Sequence, residues 1–201
     1  MKNLLPSLAL LAASALPLAA QDGKPDAEGY IRDWLVLAPL PIGDGGGADA
    51  VEKKQFADEA DPKSAKDGAA QKVGGKELMW EKVTTKTFYI DFKELATPGE
   101  QVVGWAVAYV VAPADKAGLV LHMNSNDQGK VYLNGQELFK FLDTRTLEKD
   151  GEDKVAGVTL KKGVNVLVLK VANEENNWQG SVRFVDAAGK PVTDLKIQTA
   201  R

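Results

Sequence analysis

The sequence predicts an all-β protein, an antiparallel β-sandwich or jelly roll. From Glu77 to the C-terminus, short apolar or alternating segments follow one another, with turn residues between them and little helical periodicity. Residues 124–139 have the pattern of a polar turn and two strands joined by Asn134-Gly135, a pair that accepts the positive φ angles of a type I′ hairpin turn. Residues 164–171 are apolar on both faces, which indicates a central strand packed on both sides. Together these features favour two packed sheets.

The other strands follow from the same alternation. Residues 30–42 contain a first strand that ends at a proline-rich turn, because proline has no amide hydrogen to donate to a sheet. Residues 101–112 alternate large side chains, such as Trp105 and Tyr109, with alanine and valine, so both faces of this strand are expected to be covered. Further strands are expected at 78–83, 87–92, 117–123, 154–160, 180–185 and 191–197.

The first 20 residues have the pattern of a secretory signal peptide. Lys2 precedes an apolar run at 4–18, and small residues stand before the polar residue 21. The run is short for a membrane span and is interrupted by Pro6 and Pro17. Residues 21–201 are therefore expected to be a single exported β-sandwich domain, located in the periplasm or outside the cell, with no membrane span in the mature chain.

Residues 44–76 are predicted to be a long charged loop within that domain. The segment is rich in Lys, Asp, Glu, Ala and Gly and has almost no large apolar side chains. Residues 50–57 are compatible with two helical turns.

The composition excludes several kinds of chemistry. The chain of 201 residues has no Cys and one His, so disulfides, a Cys-His nucleophile and a His-rich metal site are ruled out. A net charge of −3 gives no basic footprint for nucleic acid. The alternating pattern places His122 on a strand as a packed or outward residue. We expect a protein that is not an enzyme; a carboxylate pair for glycoside hydrolysis is the catalytic alternative left open.

Trp178 is a candidate sugar-binding residue because amides flank it on both sides. An indole ring can stack on the apolar face of a pyranose while Asn176, Asn177 and Gln179 pair with its hydroxyl groups. The alternative is a tryptophan that closes one end of the sandwich, with the amides shaping a bend.

Arg145 and Arg183 are candidate ligand-binding residues in a chain whose cations are mostly lysines. The guanidinium fork suits paired hydroxyl groups or carboxylates. Salt bridges with Asp127, Asp143 or Asp153 are the alternative for both arginines.

Asn124, Asn126 and Asp127 place several oxygen atoms in one turn, which is the donor type that calcium prefers. A structural calcium ion is therefore the one cofactor considered. The alternative is a turn whose polar side chains bond to their own backbone.

The order of several short motifs resembles the galactose-binding-like β-sandwich domains that serve as accessory modules of bacterial glycoside hydrolases. The family pattern has two acids in the turn where this chain has Asn126-Asp127, and often a second aromatic residue where it has Val164. The resemblance implies a non-catalytic, secreted carbohydrate-binding module with a polysaccharide or glycan partner. The alternative is an exported protein-interaction or scaffolding domain without a sugar site. The motifs are residues 34–39, 56–59, 80–83, 106–110, 126–129, Asn134-Gly135, Arg145, 162–165 and 178–183.

Overall fold

The computed structural model describes residues 23–95 and 99–201 and confirms an all-β protein built from antiparallel sheets. The predicted signal peptide lies outside the described residues. One α-helix, α1 (Gly46–Glu52), and a 3₁₀ turn (Phe92–Glu94) accompany the strands. The strands are β1 (Asp33–Pro41), β2 (Ala70–Val73), β3 (Lys76–Met79), β4 (Glu81–Thr84), β5 (Ile90–Asp91), β6 (Val102–Ala112), β7 (Lys116–Asn126), β8 (Gly129–Leu133), β9 (Gln136–Phe141), β10 (Asp153–Leu160), β11 (Gly163–Asn173), β12 (Gln179–Val185) and β13 (Lys196–Gln198).

Two sheets pack face to face. The 7-stranded sheet has the order β4-β1-β6-β11-β8-β9, with β13 also paired to β6, and the 4-stranded sheet has the order β10-β7-β12-β5. The predicted central strand β11 lies between β6 and β8. The predicted hairpin turn is present, with φ angles of 52° at Asn134 and 82° at Gly135.

The main core lies between the two sheets. The inward face of β6 and β11 contributes Ala106, Ala108, Leu167 and Leu169, all with 0 % exposure. The facing sheet supplies, among others, Leu121, Met123, Val182 and Phe184. The small alanines of β6 face the second sheet.

A second core covers the opposite face of the 7-stranded sheet. Residues 42–80, here called the insertion, contain α1 and the β2–β3 hairpin, where the sequence predicted a long charged loop. The insertion packs a few apolar side chains, including Phe56 and Trp80, on Trp105, Val166 and Val168. The second face of β6 and β11 is therefore covered, as their two-sided apolar pattern predicted.

A buried ion pair fastens the insertion to β11. The Lys170 ammonium donates to Glu59 Oε1 at 2.9 Å and to the Lys53 carbonyl at 2.7 Å. The Tyr109 hydroxyl, on β6, bonds the Pro62 and Ala65 carbonyls at 2.8 and 2.9 Å.

Two predicted strands are shorter than expected. The segment 87–92 forms a strand only at Ile90–Asp91, because the hydroxyls of Thr85 and Thr87 bond nearby carbonyls and compete with a sheet ladder. The segment 191–197 is a strand only at its end, after Pro191. Across the residues that the structure describes, no helix is long and apolar enough to cross a membrane.

Candidate functional site

Three loops meet at one end of the sandwich and form an open depression of about 520 Å³. The turn after β7, the loop between β9 and β10, and the loop between β11 and β12 each supply part of its lining. We call this site the polar depression. It is lined by Asn126, Asp127, Thr144, Arg145, Thr146, Glu175, Asn176 and Asn177. A smaller hollow of about 240 Å³ shares four of these residues and adds Gln101 and Glu174.

Several polar side chains that line the polar depression have no partner among the described residues. Asn126 is only 6 % exposed, yet its amide makes no hydrogen bond to another described residue. Neither amide atom is among the enclosed polar atoms without a partner, so the amide reaches the open depression and is available to a partner from outside. The exposed side chains of Thr144, Thr146, Asn176 and Asn177 likewise form no hydrogen bond within the described part of the chain.

Asp127 holds the floor of the depression together. Its Oδ2 accepts a hydrogen bond from the Glu174 amide at 3.1 Å. Burial raises the pKa of the Asp127 carboxyl, although amide groups of Glu174, Glu175 and Arg145 act in the opposite direction. The carboxylate therefore joins all three loops.

Arg145 points its guanidinium inward. Nη1 contacts Asp153 Oδ2 at 2.6 Å, while Nε donates to the Ser125 carbonyl at 3.1 Å. The group also lies over the Phe141 ring at 3.9 Å. The structure therefore favours the salt-bridge alternative with Asp153 for this residue, which lines the depression but has little free hydrogen-bonding capacity.

Trp178 is a core residue. Its exposure is 0 %, its Nε1 donates to the Val171 carbonyl at 3.1 Å, and its ring stacks on Phe92 with centroids 4.8 Å apart. The predicted stacking of this ring on a sugar is wrong, because both the ring and its N–H are enclosed. The alternative, a tryptophan that closes one end of the sandwich, is the one observed. Gln179 lies outside the depression and donates to Asp91 Oδ2 at 3.1 Å.

Arg183 is not part of the depression either. On the outer face of the 4-stranded sheet, its Nη2 contacts Glu152 Oε2 at 2.5 Å. The same carboxylate meets His122 Nδ1 at 2.9 Å and accepts from the Tyr30 hydroxyl at 2.8 Å. The alternative of an ion pair is observed, but with Glu152, a partner that sequence reasoning missed.

The three residues predicted as calcium ligands are not assembled. Asn124 Oδ1 accepts from the Ser125 amide at 2.8 Å, and its Nδ2 donates to the Glu148 carbonyl at 2.8 Å, so this side chain is committed to the backbone. Asn126 and Asp127 line the depression without Asn124. Residues 23–95 and 99–201 contain no group of three or more His, Cys, Asp or Glu side chains that could hold a metal ion.

Asn126, Asp127, Arg145 and the Asn176-Asn177 pair were predictable from the sequence, whereas the rest of the lining was not. Thr144, Thr146 and Glu175 are isolated polar residues in loops, where no motif marks them. Only the folding of the three loops to one end of the sandwich brings them together.

No protein-family model matches the chain, and no curated protein matches it. The fold and the site alone define the class of protein: an antiparallel β-protein whose two larger sheets pack face to face, with an open polar depression at one end.

Proposed function

We propose that the chain is an exported, non-catalytic carbohydrate-binding module of the galactose-binding-like type, with the polar depression as its sugar site. The observation that carries the proposal is the unpaired amide of Asn126, surrounded by unpaired amides and hydroxyls. A sugar presents hydroxyl groups that both donate and accept hydrogen bonds, and amide and hydroxyl side chains complement them in both directions. Export rests on the signal-peptide pattern of residues 1–20.

The lining also predicts weak binding of a single sugar unit. No aromatic residue is among the lining residues, so affinity rests on hydrogen bonds rather than ring stacking. Each such bond contributes only about 0.5–1.5 kcal/mol net. A few of them correspond to dissociation constants on the order of 1 mM. A polysaccharide offering many units is therefore the favoured partner.

The carboxylates near the depression support binding without catalysis. A glycosidase places two carboxyl groups on either side of the scissile bond. Here Asp127 is held by backbone amides, and Glu174 Oε1 accepts from the Gly47 amide at 2.8 Å. Both groups therefore already serve the loop structure, which leaves Glu175 as the one free carboxylate among the lining residues, whereas a glycosidase needs two.

The test is retention of the purified protein on a broad panel of immobilised plant, algal and bacterial glycans. Asn126→Ala should abolish retention with the fold intact by circular dichroism. Gln71→Ala is the matched control, because it removes an amide on β2 that lines neither the polar depression nor the hollow between β9 and β10. Absence of retention on every glycan, or retention that survives Asn126→Ala, would contradict the proposal.

An exported protein-interaction or scaffolding domain is the second candidate. A hollow of about 580 Å³ lies between β9 and β10, which form the outer edges of the two sheets. Leu133, Leu138, Val155 and Val158 give it an apolar component. Unpaired strand edges can accept a strand from a partner. Absence of retention on every glycan of the panel would favour this candidate.

A further inference from the structure

We propose that the polar depression prefers glycans that carry free amino groups, such as deacetylated hexosamine units, over neutral and anionic glycans. This inference rests on the proposed function and assigns the charge of the sugar that the same site takes.

The charges around the depression are predominantly negative. Asp127 and Glu175 line it directly, and Glu174 lines the adjoining smaller hollow. Arg145 is the one cationic side chain among the lining residues; its side chain is 14 % exposed and its guanidinium is paired with Asp153. A ligand entering the depression therefore meets carboxylates that this cation does not neutralise.

Glu175 is the carboxylate best placed to act on a ligand. It is exposed, and its side chain forms no ion pair or hydrogen bond with another described residue. Asp127 and Glu174, by contrast, are fixed by backbone amides. The site thus combines one free carboxylate with two fixed ones.

Asn126 provides independent support for a ligand at this position. Its nearly buried, unpaired amide lines the same depression as Glu175. The amide oxygen can accept from an ammonium or a hydroxyl group, while the amide nitrogen donates to a sugar oxygen. A carboxylate and an ammonium group form a charge-assisted hydrogen bond, which is stronger than a neutral one. A uronic acid in the same position would instead meet like charges.

The experiment compares three soluble oligosaccharides of equal length: a glucosamine, an N-acetylglucosamine and a galacturonic acid oligomer. Affinities are measured by NMR titration of the purified protein at low salt, at a pH where the amine is protonated. The glucosamine oligomer should bind most tightly and the galacturonic acid oligomer least. Glu175→Gln should weaken glucosamine binding on the order of three- to fivefold, the usual scale of an exposed ion pair, and weaken N-acetylglucosamine binding by a smaller factor. Glu81→Gln, an exposed glutamate on β4 outside the depression, should change neither.

The outcomes separate this inference from the proposed function. Galacturonic acid binding as tight as glucosamine binding would overturn the charge preference, and so would glucosamine affinity that is unchanged in Glu175→Gln. The proposed function would survive either result, provided that Asn126→Ala abolishes binding. Failure of the glucosamine oligomer to bind would overturn the inference. Failure on the whole glycan panel as well would overturn the proposed function.

Discussion

Two polar regions of this protein differ in how completely their hydrogen bonds are made. Beneath the insertion, Lys170 and Glu59 are 0 % and 1 % exposed and bond to each other and to backbone groups. In the polar depression, Asn126 is 6 % exposed and has no partner among the described residues. The comparison teaches that burial alone does not separate a structural polar group from a binding group. Asn126 differs in lining an open depression, whereas other polar atoms without a partner, such as Trp105 Nε1, are enclosed in the core.

Stability should respond most strongly to the loss of one partner in the buried pair of Lys170 and Glu59. Desolvation lowers the pKa of Lys170, while Glu59 acts to raise it, so the ammonium depends on this carboxylate for compensation. We expect Glu59→Ala to lower the free energy of unfolding by about 3–5 kcal/mol, because it leaves a buried charge unpaired. Chemical denaturation measures this change. The double variant Glu59→Leu with Lys170→Met should recover most of the loss, and a single variant within about 1 kcal/mol of wild type would contradict the account.

Trp178 follows the depression residues Asn176 and Asn177 in sequence but is a core residue. Its substitution should therefore affect stability rather than binding. We expect Trp178→Ala to lower the free energy of unfolding by about 3–5 kcal/mol, since it opens a cavity beside Phe92 and removes a buried ring. Trp178→Phe should cost less, and it should keep glycan binding. Unchanged stability in Trp178→Ala, with binding lost, would restore a direct role for this ring in binding.

The buried hydroxyl of Tyr109 makes the stability of the protein depend on pH. Burial raises the pKa of its hydroxyl to about 12, so the folded state keeps a proton that the unfolded state loses above its ordinary value of about 10. Stability should therefore fall as pH rises through this interval. Burial also raises the pKa of Tyr30 and Tyr132, so the Tyr109 share is read as a difference between variants. Between pH 9 and 11.5, we expect the free energy of unfolding of Tyr109→Phe to fall by about 2 kcal/mol less than that of the wild-type protein. Chemical denaturation at several pH values measures this difference. Parallel curves for both proteins would contradict this assignment.

Substitution of Asn126 should have the smallest effect on stability while abolishing glycan binding. Because its amide has no partner in the protein, we expect Asn126→Ala to change the free energy of unfolding by no more than about 0.5 kcal/mol. Asn124→Ala is the matched control, since that amide bonds the backbone at two places and its loss should cost about 1–3 kcal/mol. An equal loss of unfolding free energy in the two variants would contradict the assignment of Asn126 as an amide without a partner in the protein.

The sheets could be predicted from sequence because their signals are local. Asn134-Gly135 marked the hairpin, and the two-sided apolar pattern of residues 164–171 marked the central strand. The cover provided by the insertion could not be predicted in the same way. Its apolar side chains, such as Phe56 and Trp80, are far apart in a charged segment, and only contact with β6 and β11 makes them a core.

The candidate site was predictable only in part, for a related reason. Asn176 and Asn177 were found because they flank a tryptophan, yet the tryptophan itself is buried. Amides beside an aromatic residue are typical of both a sugar site and a bend at the end of a strand. The ion pair of Arg183 with Glu152 could not be predicted, because the two residues are 31 positions apart and no local pattern connects them.

The most direct test of the central claim is an NMR titration that follows the side-chain amides of Asn126 and Asn124 together. The ligand is a soluble oligosaccharide taken from a glycan retained in the panel. We expect large, saturable shifts at Asn126, smaller ones at Asn176 and Asn177, and none at Asn124 or at residues around Lys170. Shifts confined to the strands β9 and β10, or no shift at Asn126 on saturation, would contradict it.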